Sequence, residues 1–383
     1  MLKEKIKDDT EMKLDDSILK IEEKIMYELR SLYHKSGYAP FKMSRFEEYD
    51  MYVKNKSYIS DTDIVTFTDL TGKLLALKPD VTLSIIKNYK PVQGSVSKVY
   101  YNENVYRSDK ATHEINEIMQ TGIECMGDIG MAEECEVILL AVKSLETISE
   151  NYILDISSAK ILNGLLDASG ADADTRKSII KLFASKNTPA LTSLCAECGI
   201  GGAIADIMIK LCSLSGKATE KIADLEKLCI NRDMTNALSE LKALINALSE
   251  CGATEKLNLD FSIISNANYY SGVVFRGYVD KLPESVLSGG RYDNLIKNMG
   301  KKGSAVGFAV YSDMLERLDE RVREYDCDVL LTYEDGVSYA QINNAAEKFK
   351  ADGLSVNVQK TDCGSLRYKK LCTVRKGGEI TNG

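Results

Sequence analysis

The sequence predicts an α+β fold, in which a block of helices interrupts a strand-rich domain and a small β-α-β unit follows. Strand patterns and turn signals fill the chain before about residue 160 and return after about residue 255. The stretch between them has apolar residues at helical spacing, with breaks at glycine and proline. We therefore predict a core over residues 1–325, with a helical insertion at about 160–255, and a small C-terminal domain over 326–383.

In the first part of the core, the patterns predict two helices on either side of a strand–loop–strand. The first helix is amphipathic and runs from Asp15 to Lys35, because isoleucine and leucine recur at steps of three and four residues. Gly37 supplies its stop. Strands are predicted at Val96–Val105 and Met119–Met126, and a second helix at Glu133–Ile148.

After the insertion, the chain returns to strands. The segments LDFSII and YYSGVVFRGYV are predicted strands, and a glycine-rich turn at Ser288–Asp293 opens a helix. The segment AVGFAV then leads into another helix through Leu318. From Asp326 the strand CDVLLTY, the helix YAQINNAAEKFKADG and the strand LSVNVQ form one β-α-β unit.

Composition and charge argue against several classes of function. The chain has 383 residues, a net charge of −8 and a pI near 5.2, which give no general attraction to nucleic acid. No signal-peptide core occurs, and no run approaches the roughly 18 apolar residues of a membrane helix. The cysteines lie mostly in apolar helical patterns, as expected of reduced thiols in the cytoplasm. We predict no membrane contact, no cofactor and no metal, a structural role for the one CxxC pair, Cys195 and Cys198, and surface positions for His34 and His113.

The segment from Tyr106 to Gly127 carries the first candidate binding residues. Arg107 ends one predicted strand, a polar loop follows, and Gln120 and Glu124 lie on the next strand. Because side chains alternate along a strand, Gln120 and Glu124 share one face, about 13 Å apart at ~3.3 Å per residue. This leaves room for a small amphoteric ligand, although the segment alone fits a solvated polar hairpin better.

Five motifs follow one another between Asp15 and Leu318. They are LLALKPDVT, NVYRSD, MQTGIECMG, NYYSGVVF, and SGGRYDNL with AVGFAV. Taken in the same order, these five motifs are similar to five conserved segments of a single enzyme family. Those segments are the LRPE/D-x-T segment, motif 2, the HQxGxExxG strand, the LDYYxxTVFE segment, and GGRYDxL with the strand of motif 3. The chain thus resembles the catalytic core of histidyl-tRNA synthetase, a class II aminoacyl-tRNA synthetase.

The resemblance implies a six-stranded antiparallel sheet flanked by helices, usually in a dimer, with an amino acid bound on the sheet. It assigns the ligand's ammonium group to Asp80, Thr82 and Gln120, and its imidazole to Glu124 and Tyr270. The chemistry fits, because a buried cation needs a carboxylate partner and an imidazole N–H needs an acceptor. The alternative is a set of core polar residues that satisfy one another. The histidine-binding residues implied in this way are Asp80, Thr82, Arg107, Gln120, Glu124, Tyr269 and Tyr270.

The chain departs from the synthetase pattern where ATP would bind, a place that needs positive charge around the phosphates. Ser265 and Asn268 stand where the family's RGLDYY has its arginine and aspartate, and Met314 stands where motif 3 has its arginine. Losing one well-placed donor costs on the order of a hundredfold in rate. We therefore predict no catalytic residues. The loop of motif 2 also lacks positive charge, because it has one lysine, Lys110, and three acids, Asp109, Glu114 and Glu117.

A retained amino-acid pocket beside a lost ATP site resembles the regulatory subunits of ATP phosphoribosyltransferase, a family paralogous to histidyl-tRNA synthetase. That resemblance implies no chemistry by this chain, assembly with a short-form catalytic subunit as a hetero-octamer, and feedback inhibition by histidine in the first step of histidine biosynthesis. Residues Asp326–Gly383 carry eight basic and eight acidic side chains, which argues against tRNA binding. Two alternatives stay open: an active histidyl-tRNA synthetase and a stand-alone histidine-binding adaptor.

Overall fold

The structure is a computed structural model that describes residues 19–56, 64–108, 112, 114–264, 269–318 and 325–382. The chain divides into two compact units, Met1–Asp319 and Glu320–Gly383. No helix in these described ranges is long and apolar enough to cross a membrane. The domain boundary at residue 325 and the limits of the insertion stay predictions.

The strands of the first unit lie on both sides of a long helical stretch. They are β1 Ala39–Pro40, β2 Phe46–Glu48, β3 Thr66–Thr68, β4 Leu74–Leu77, β5 Val96–Ser108, β6 Ile115–Gly127, β7 Tyr152–Ser158, β8 Ser215–Lys217, β9 Leu257–Asp260, β10 Val273–Val279, β11 Leu287–Arg291 and β12 Ser304–Tyr311. The helices are α1 Ile21–Lys35, α2 Tyr49–Lys54, α3 Thr82–Asn88, α4 Met131–Ile148, α5 Ala159–Ala168, α6 Ala173–Ala184, α7 Thr188–Glu197, α8 Gly202–Ser213, α9 Ala218–Glu226, α10 Arg232–Glu250, α11 Asp293–Asn298 and α12 Ser312–Leu315. Short 3-10 turns occur at Phe261–Ile263 and Glu316–Leu318.

A nine-stranded sheet forms the centre of this unit, in the order β1-β5-β6-β12-β11-β10-β7-β9-β8. From β5 to β7 each strand is antiparallel to the next, which confirms the α+β fold and the antiparallel core implied by the resemblance. The sheet is wider than six strands, because β1 pairs in parallel with β5, β9 pairs in parallel with β7, and β8 adds an antiparallel edge. A separate three-stranded sheet has the order β2-β4-β3.

The alternation of side chains gives the large sheet two different faces. Ile123 of β6 and Ile156 of β7 are buried in the main hydrophobic cluster, on the face that α1, α4 and α10 cover. The opposite face, which carries Glu124, is called the front face below. It is covered only in part, by α3 and α11, through apolar residues such as Leu83 and Leu295.

The predicted glycine-rich turn at Ser288–Asp293 is wrong, because Ser288–Arg291 lies within strand β11. Gly289 lies opposite Phe308 in β12. A Cβ atom on Gly289 would come within 2.5 Å of the carbonyl oxygen of Gly307 and of the Phe308 side chain. The glycines therefore serve close strand packing rather than chain reversal. The predicted helix after them is present as α11.

Two further boundaries differ from the predictions. Helix α1 begins at Ile21, and residues 15–18 lie outside the described residues. Strands β5 and β6 continue beyond the predicted ends and pair as far as Ser108 opposite Ile115. The beginning of β6 is exposed, so its polar sequence lacks the apolar alternation that would have marked it as a strand.

The histidines and the CxxC pair of the first unit lie in different surroundings. His34 is exposed near the end of α1, as predicted, while His113 lies outside the described residues. Cys195 is buried in α7 and Cys198, just after that helix, is exposed. The thiol of Cys195 packs against the sulfur of Met208 at 3.9 Å, which agrees with a structural role for this residue.

The second unit has a four-stranded sheet in the order β14-β13-β15-β16. Its elements are β13 Cys327–Tyr333, α13 Tyr339–Ala351, β14 Val356–Val358, β15 Tyr368–Val374 and β16 Ile380–Asn382. The first three of these confirm the predicted β-α-β unit. The two last strands were missed because only Cys372 and Val374 of β15 are buried, while two lysines interrupt its apolar pattern.

Arg291 connects the ends of three elements of the first unit. Its guanidinium donates to the Glu134 carboxylate of α4 at 2.6 Å and to Asp293 at the beginning of α11 at 2.9 Å. It also donates to the hydroxyl of Ser304 in β12 at 3.0 Å. Asp293 in turn accepts from the backbone N–H of Ala305 at 3.1 Å. Because these side chains are mostly buried, the ion pairs fix the position of α11 beside the front face.

We expect Arg291→Ala to lower the free energy of unfolding by about 3 kcal/mol, because two mostly buried carboxylates lose their cation. Urea unfolding followed by circular dichroism measures the change. Arg232→Ala, on the exposed beginning of α10, is the matched control and should change stability by less than about 0.5 kcal/mol. Equal stability of the two variants would contradict the role of Arg291.

Candidate functional site

Glu124 lies at the centre of the front face and is almost wholly removed from solvent, with 2% of its surface exposed. Both of its oxygen atoms have a hydroxyl partner. Thr82 at the beginning of α3 donates to Oε1 at 2.8 Å, and Tyr292, just before α11, donates to Oε2. The carboxyl group therefore joins three segments that are far apart in the sequence.

Burial raises the pKa of Glu124 to about 8, because the ionised carboxylate loses its hydration there. The hydrogen bonds from Tyr292 and Thr82 offset part of this rise, and the negative charge of Asp80 adds to it. At neutral pH the carboxyl group is therefore mostly protonated.

Glycine residues make room for the Glu124 side chain on the sheet. Gly307 lies directly opposite Glu124, and Gly290 lies opposite Gly307 on the next strand. A Cβ atom on Gly307 would lie 1.8 Å from Oε2 of Glu124, which no side chain could tolerate. Glu124 thus lies across β12, flat on the sheet, and this position depends on glycine at residue 307.

Asp80 lies near this carboxyl group, and Arg107 lies near Asp80. Oδ1 of Asp80 accepts from the backbone N–H of Leu83 at 2.9 Å and thereby holds the beginning of α3. Burial raises the pKa of Asp80, and the Leu83 hydrogen bond and the charge of Arg107 offset part of the rise. Arg107 also donates from Nε to the carbonyl oxygen of Pro79 at 3.2 Å, which connects β5 to the Asp80 segment.

Gln120 is buried and shares the front face with Glu124, as the alternation predicts. Its neighbours across the strands are Tyr311 on β12 and Glu103 on β5. Glu103 holds the fully buried Lys78 through an ion pair of 2.9 Å. Burial lowers the pKa of Lys78, although the bond to Glu103 opposes this.

Tyr269 and Tyr270 cover the pocket from the segment before β10. Their rings meet edge to face, with centroids 4.8 Å apart, and Tyr269 also lies 5.8 Å from the ring of Tyr292. Burial raises the pKa of Tyr269, and a hydrogen bond with Thr82 offsets part of that rise. A Cβ atom on Gly290 would lie 2.7 Å from ring carbons of Tyr270, so the Tyr270 ring packs directly against the backbone of β11 at Gly290.

The structure thus places most of the sequence-predicted residues around one part of the front face. Arg107 is the exception, because it pairs with Asn116, eight residues before Glu124 on β6, and contacts the Asp80 segment through Pro79.

The structure also adds Tyr292 and Gly307, which the sequence patterns did not single out, although both belong to the family-like motifs. The hydroxyl partners of Glu124 also agree with the alternative interpretation, in which the polar groups satisfy one another. Each oxygen of an ionised carboxylate can accept a second hydrogen bond, so a ligand donor could join these hydroxyl partners or replace one of them.

The region expected to hold ATP in a synthetase has a different character. Met314, at the position of the motif 3 arginine, packs against the main hydrophobic cluster, and Arg317 is exposed one turn further on. Glu117 accepts hydrogen bonds from Asn104 and Tyr106 on the exposed end of the hairpin. Ser265, Asn268, Asp109 and Lys110 lie outside the described residues. In the described ranges, no group of three or more acidic, histidine or cysteine side chains could hold a metal ion.

The antiparallel sheet with candidate ligand residues on its front face is the fold of class II aminoacyl-tRNA synthetase-like proteins. The family model of histidyl-tRNA synthetase matches residues 13–315, and the chain belongs to that family. This confirms the resemblance inferred from the five motifs.

Curated relatives carry the name ATP phosphoribosyltransferase regulatory subunit. The one from Clostridium acetobutylicum is 29% identical over 370 residues, which cover 92% of this chain and 89% of the relative. The one from Bacillus cereus is 27% identical over 321 residues, which cover 82% of this chain and 76% of the relative.

Solved structures share the fold. A crystal structure of an ATP phosphoribosyltransferase regulatory subunit/histidyl-tRNA synthetase from Bacillus halodurans has a TM-score of 0.74 at 24% identity and covers 92% of this chain and 94% of its own. The ATP phosphoribosyl transferase (HisG:HisZ) complex from Thermotoga maritima contains a chain with a TM-score of 0.58 at 19% identity, covering 75% of this chain and 96% of its own.

The raised pKa of Glu124 predicts how the stability of this chain depends on pH. In the folded state the carboxyl group keeps its proton up to about pH 8, whereas in the unfolded state it ionises near 4.5. The contribution of Glu124 to stability is therefore complete below about pH 4.5 and is lost as the pH rises towards 8. Because glutamine cannot ionise, the free energy of unfolding of Glu124→Gln should fall by a few kcal/mol less than that of the unchanged protein as the pH rises towards 8.

Urea unfolding at pH 5, 6.5 and 8 tests this expectation. The control is Glu220→Gln, at an exposed position in α9, and it should keep the pH dependence of the unchanged protein. The expectation is wrong if Glu124→Gln loses as much stability between pH 5 and 8 as the unchanged protein does.

Proposed function

We propose that this chain is a regulatory subunit of ATP phosphoribosyltransferase, acting in the first step of histidine biosynthesis, and that it carries out no reaction itself. One observation carries the proposal: the Glu124 site is assembled on the front face, while Met314, at the position of the motif 3 arginine, packs against the main hydrophobic cluster. The names of the curated relatives support this function.

The proposed partner is the catalytic ATP phosphoribosyltransferase subunit in its short form. The Thermotoga maritima structure is a complex of two proteins, HisG and HisZ, and its likeness to this chain supports such a partner. We further propose self-association as a dimer, a hetero-octamer with the catalytic subunit, and a cytoplasmic location. The ten cysteines are all free thiols, which suits a reducing compartment.

Histidine is the proposed effector, and the proposed pocket consists of the seven residues implied by the resemblance. Asp80 and Thr82 face the ammonium group, and Glu124 accepts from the imidazole. Histidine can alter the catalytic partner only by binding two states of the complex with different affinity. A coupling of ~1–3 kcal/mol changes the equilibrium 5- to 150-fold, which is enough for feedback control.

An activity assay tests the proposed role. The catalytic subunit should be nearly inactive alone, active with this chain added, and inhibited again as histidine is titrated. The rival function, an active histidyl-tRNA synthetase, predicts histidine-dependent ATP–pyrophosphate exchange by this chain alone. Exchange of that kind, or full activity of the catalytic subunit by itself, would overturn the proposal. Histidine binding without association with the catalytic subunit would instead indicate a stand-alone adaptor.

Calorimetry with the purified chain tests the pocket. Glu124→Ala and Asp80→Ala should each weaken histidine binding at least tenfold, because each removes a hydrogen-bonding partner of a charged or polar ligand group. Glu220→Ala, on the exposed surface of α9, is the control and should bind as the unchanged chain does. Unchanged affinity in both pocket variants would remove the assignment.

A further inference from the structure

A large aromatic side chain stands beside Gln120 on the front face. Tyr311, the last residue of β12, lies directly opposite Gln120 of β6. Residues opposite each other in antiparallel strands point to the same face, with Cβ atoms about 5 Å apart. The half-buried Tyr311 ring therefore borders the end of the proposed site at which Gln120 lies.

Two other tyrosine side chains show that the Tyr311 ring lies over the sheet. Burial raises the pKa of Tyr101, and the phenol group of Tyr311 adds to this rise. Burial also raises the pKa of Tyr270 to about 12, and Tyr311 contributes there as well. A phenol group that acts on both lies near the hydroxyl groups of both.

The positions of those two hydroxyl groups locate the space that the three rings fill. A Cβ atom on Gly122 would lie 2.6 Å from the hydroxyl oxygen of Tyr101, so Tyr101 reaches from β5 across β6. Tyr270 is hydrogen-bonded to Ser288 of β11. Between Gly122 and Ser288, in the same row of the sheet, lies the small residue Ala309 of β12. The rings therefore cover this row, and the proposed site ends there on the side of β11 and β12.

Electrostatics directs one end of an amino acid towards Tyr311. The proposed site holds the ammonium group at Asp80, Thr82 and Gln120, and the carboxylate is attached to the same carbon atom. Because like charges repel, the carboxylate turns away from Asp80 and Glu124, the two buried acids. The direction that leads away from both acids, past Gln120, is the direction of β12 and Tyr311.

The sequence of motif 3 agrees with a closed end at this place. If Met314 falls on the arginine of the motif 3 pattern GFAxGLER, Tyr311 falls on its second glycine. Amino-acid activation joins the carboxylate to a phosphate of ATP, so an active synthetase needs open space beside the carboxylate. A glycine in a strand leaves such space for a ligand, whereas a tyrosine fills it.

We infer that Tyr311 closes the Glu124 site at the carboxylate of the ligand and restricts the site to free amino acids. A ligand whose carboxyl group carries a further residue or a nucleotide meets the Tyr311 ring. The inference rests on the proposed histidine-binding function and deepens it, because it makes free histidine the effector rather than activated or peptide-bound histidine. It also gives a role to a residue outside the predicted histidine-binding set.

Calorimetry with the full chain and two ligands tests the inference. The ligands are L-histidine and L-histidylglycine, which keeps the ammonium and imidazole groups but extends the carboxyl end by one residue. The unchanged chain should bind the dipeptide about 5- to 150-fold more weakly, the usual cost of forcing extra atoms into a packed site. Tyr311→Ala should narrow this difference at least about fivefold, chiefly by strengthening dipeptide binding.

Two variants serve as controls. Tyr311→Phe keeps the ring and should keep the preference of the unchanged chain. Tyr27→Ala, at an exposed position in α1, should also leave the preference as it is. Thermal melting shows which variants are folded, and Tyr311→Leu replaces the alanine variant if that one is not.

The outcomes separate the inference from the proposed function. The inference alone is overturned if the unchanged chain binds both ligands equally, or if the alanine variant keeps the original preference. An equal gain in Tyr311→Phe would assign the effect to the hydroxyl group, and loss of L-histidine binding without a gain for the dipeptide would make Tyr311 a binding residue; both results also overturn it. If the unchanged chain binds no L-histidine, the proposed histidine pocket fails, and the inference fails with it.

Discussion

The front face is organised by the burial of one carboxyl group. Glu124 can lie flat across β12 only because residue 307 is glycine, and it tolerates burial because Thr82 and Tyr292 satisfy its oxygens. Each hydroxyl group must be held within hydrogen-bond distance, so the beginning of α3 and the approach to α11 are fixed as well. The ion pairs of Arg291 and the hydrogen bond between Asp80 and Leu83 serve this positioning.

Two buried acids near each other make the site favourable for a positively charged group. Glu124 and Asp80 both have raised pKa values, chiefly because of burial, and the charge of Asp80 acts on Glu124. A cationic ligand removes that repulsion and favours ionisation of both acids. Binding of a cationic ligand would therefore be linked to release of a proton from Glu124.

Sequence reasoning succeeded where the signal was local. The alternation around Gln120 and Glu124 placed both side chains on one face, and the order of the motifs gave the antiparallel core. It failed where the decisive neighbour lay on another strand. Gly289 and Gly290 looked like a turn because only the pairing with β12 shows why they are small. Tyr292 was overlooked for the same reason, since its carboxyl partner is distant in sequence.

The hydrogen bonds of Glu124 also suggest how a binding pocket that catalyses no reaction can regulate a partner subunit. A ligand that displaces one of these hydroxyl groups from Glu124 releases Thr82 or Tyr292. These residues precede or begin helices whose apolar sides, including Leu83 and Leu295, belong to one hydrophobic cluster. Exchange of hydrogen-bond partners at Glu124 therefore acts on a packed group of helices rather than on a single side chain. Interiors of this kind have discrete packing arrangements, so a small polar exchange can select between two states, which is the requirement for coupling to a partner subunit.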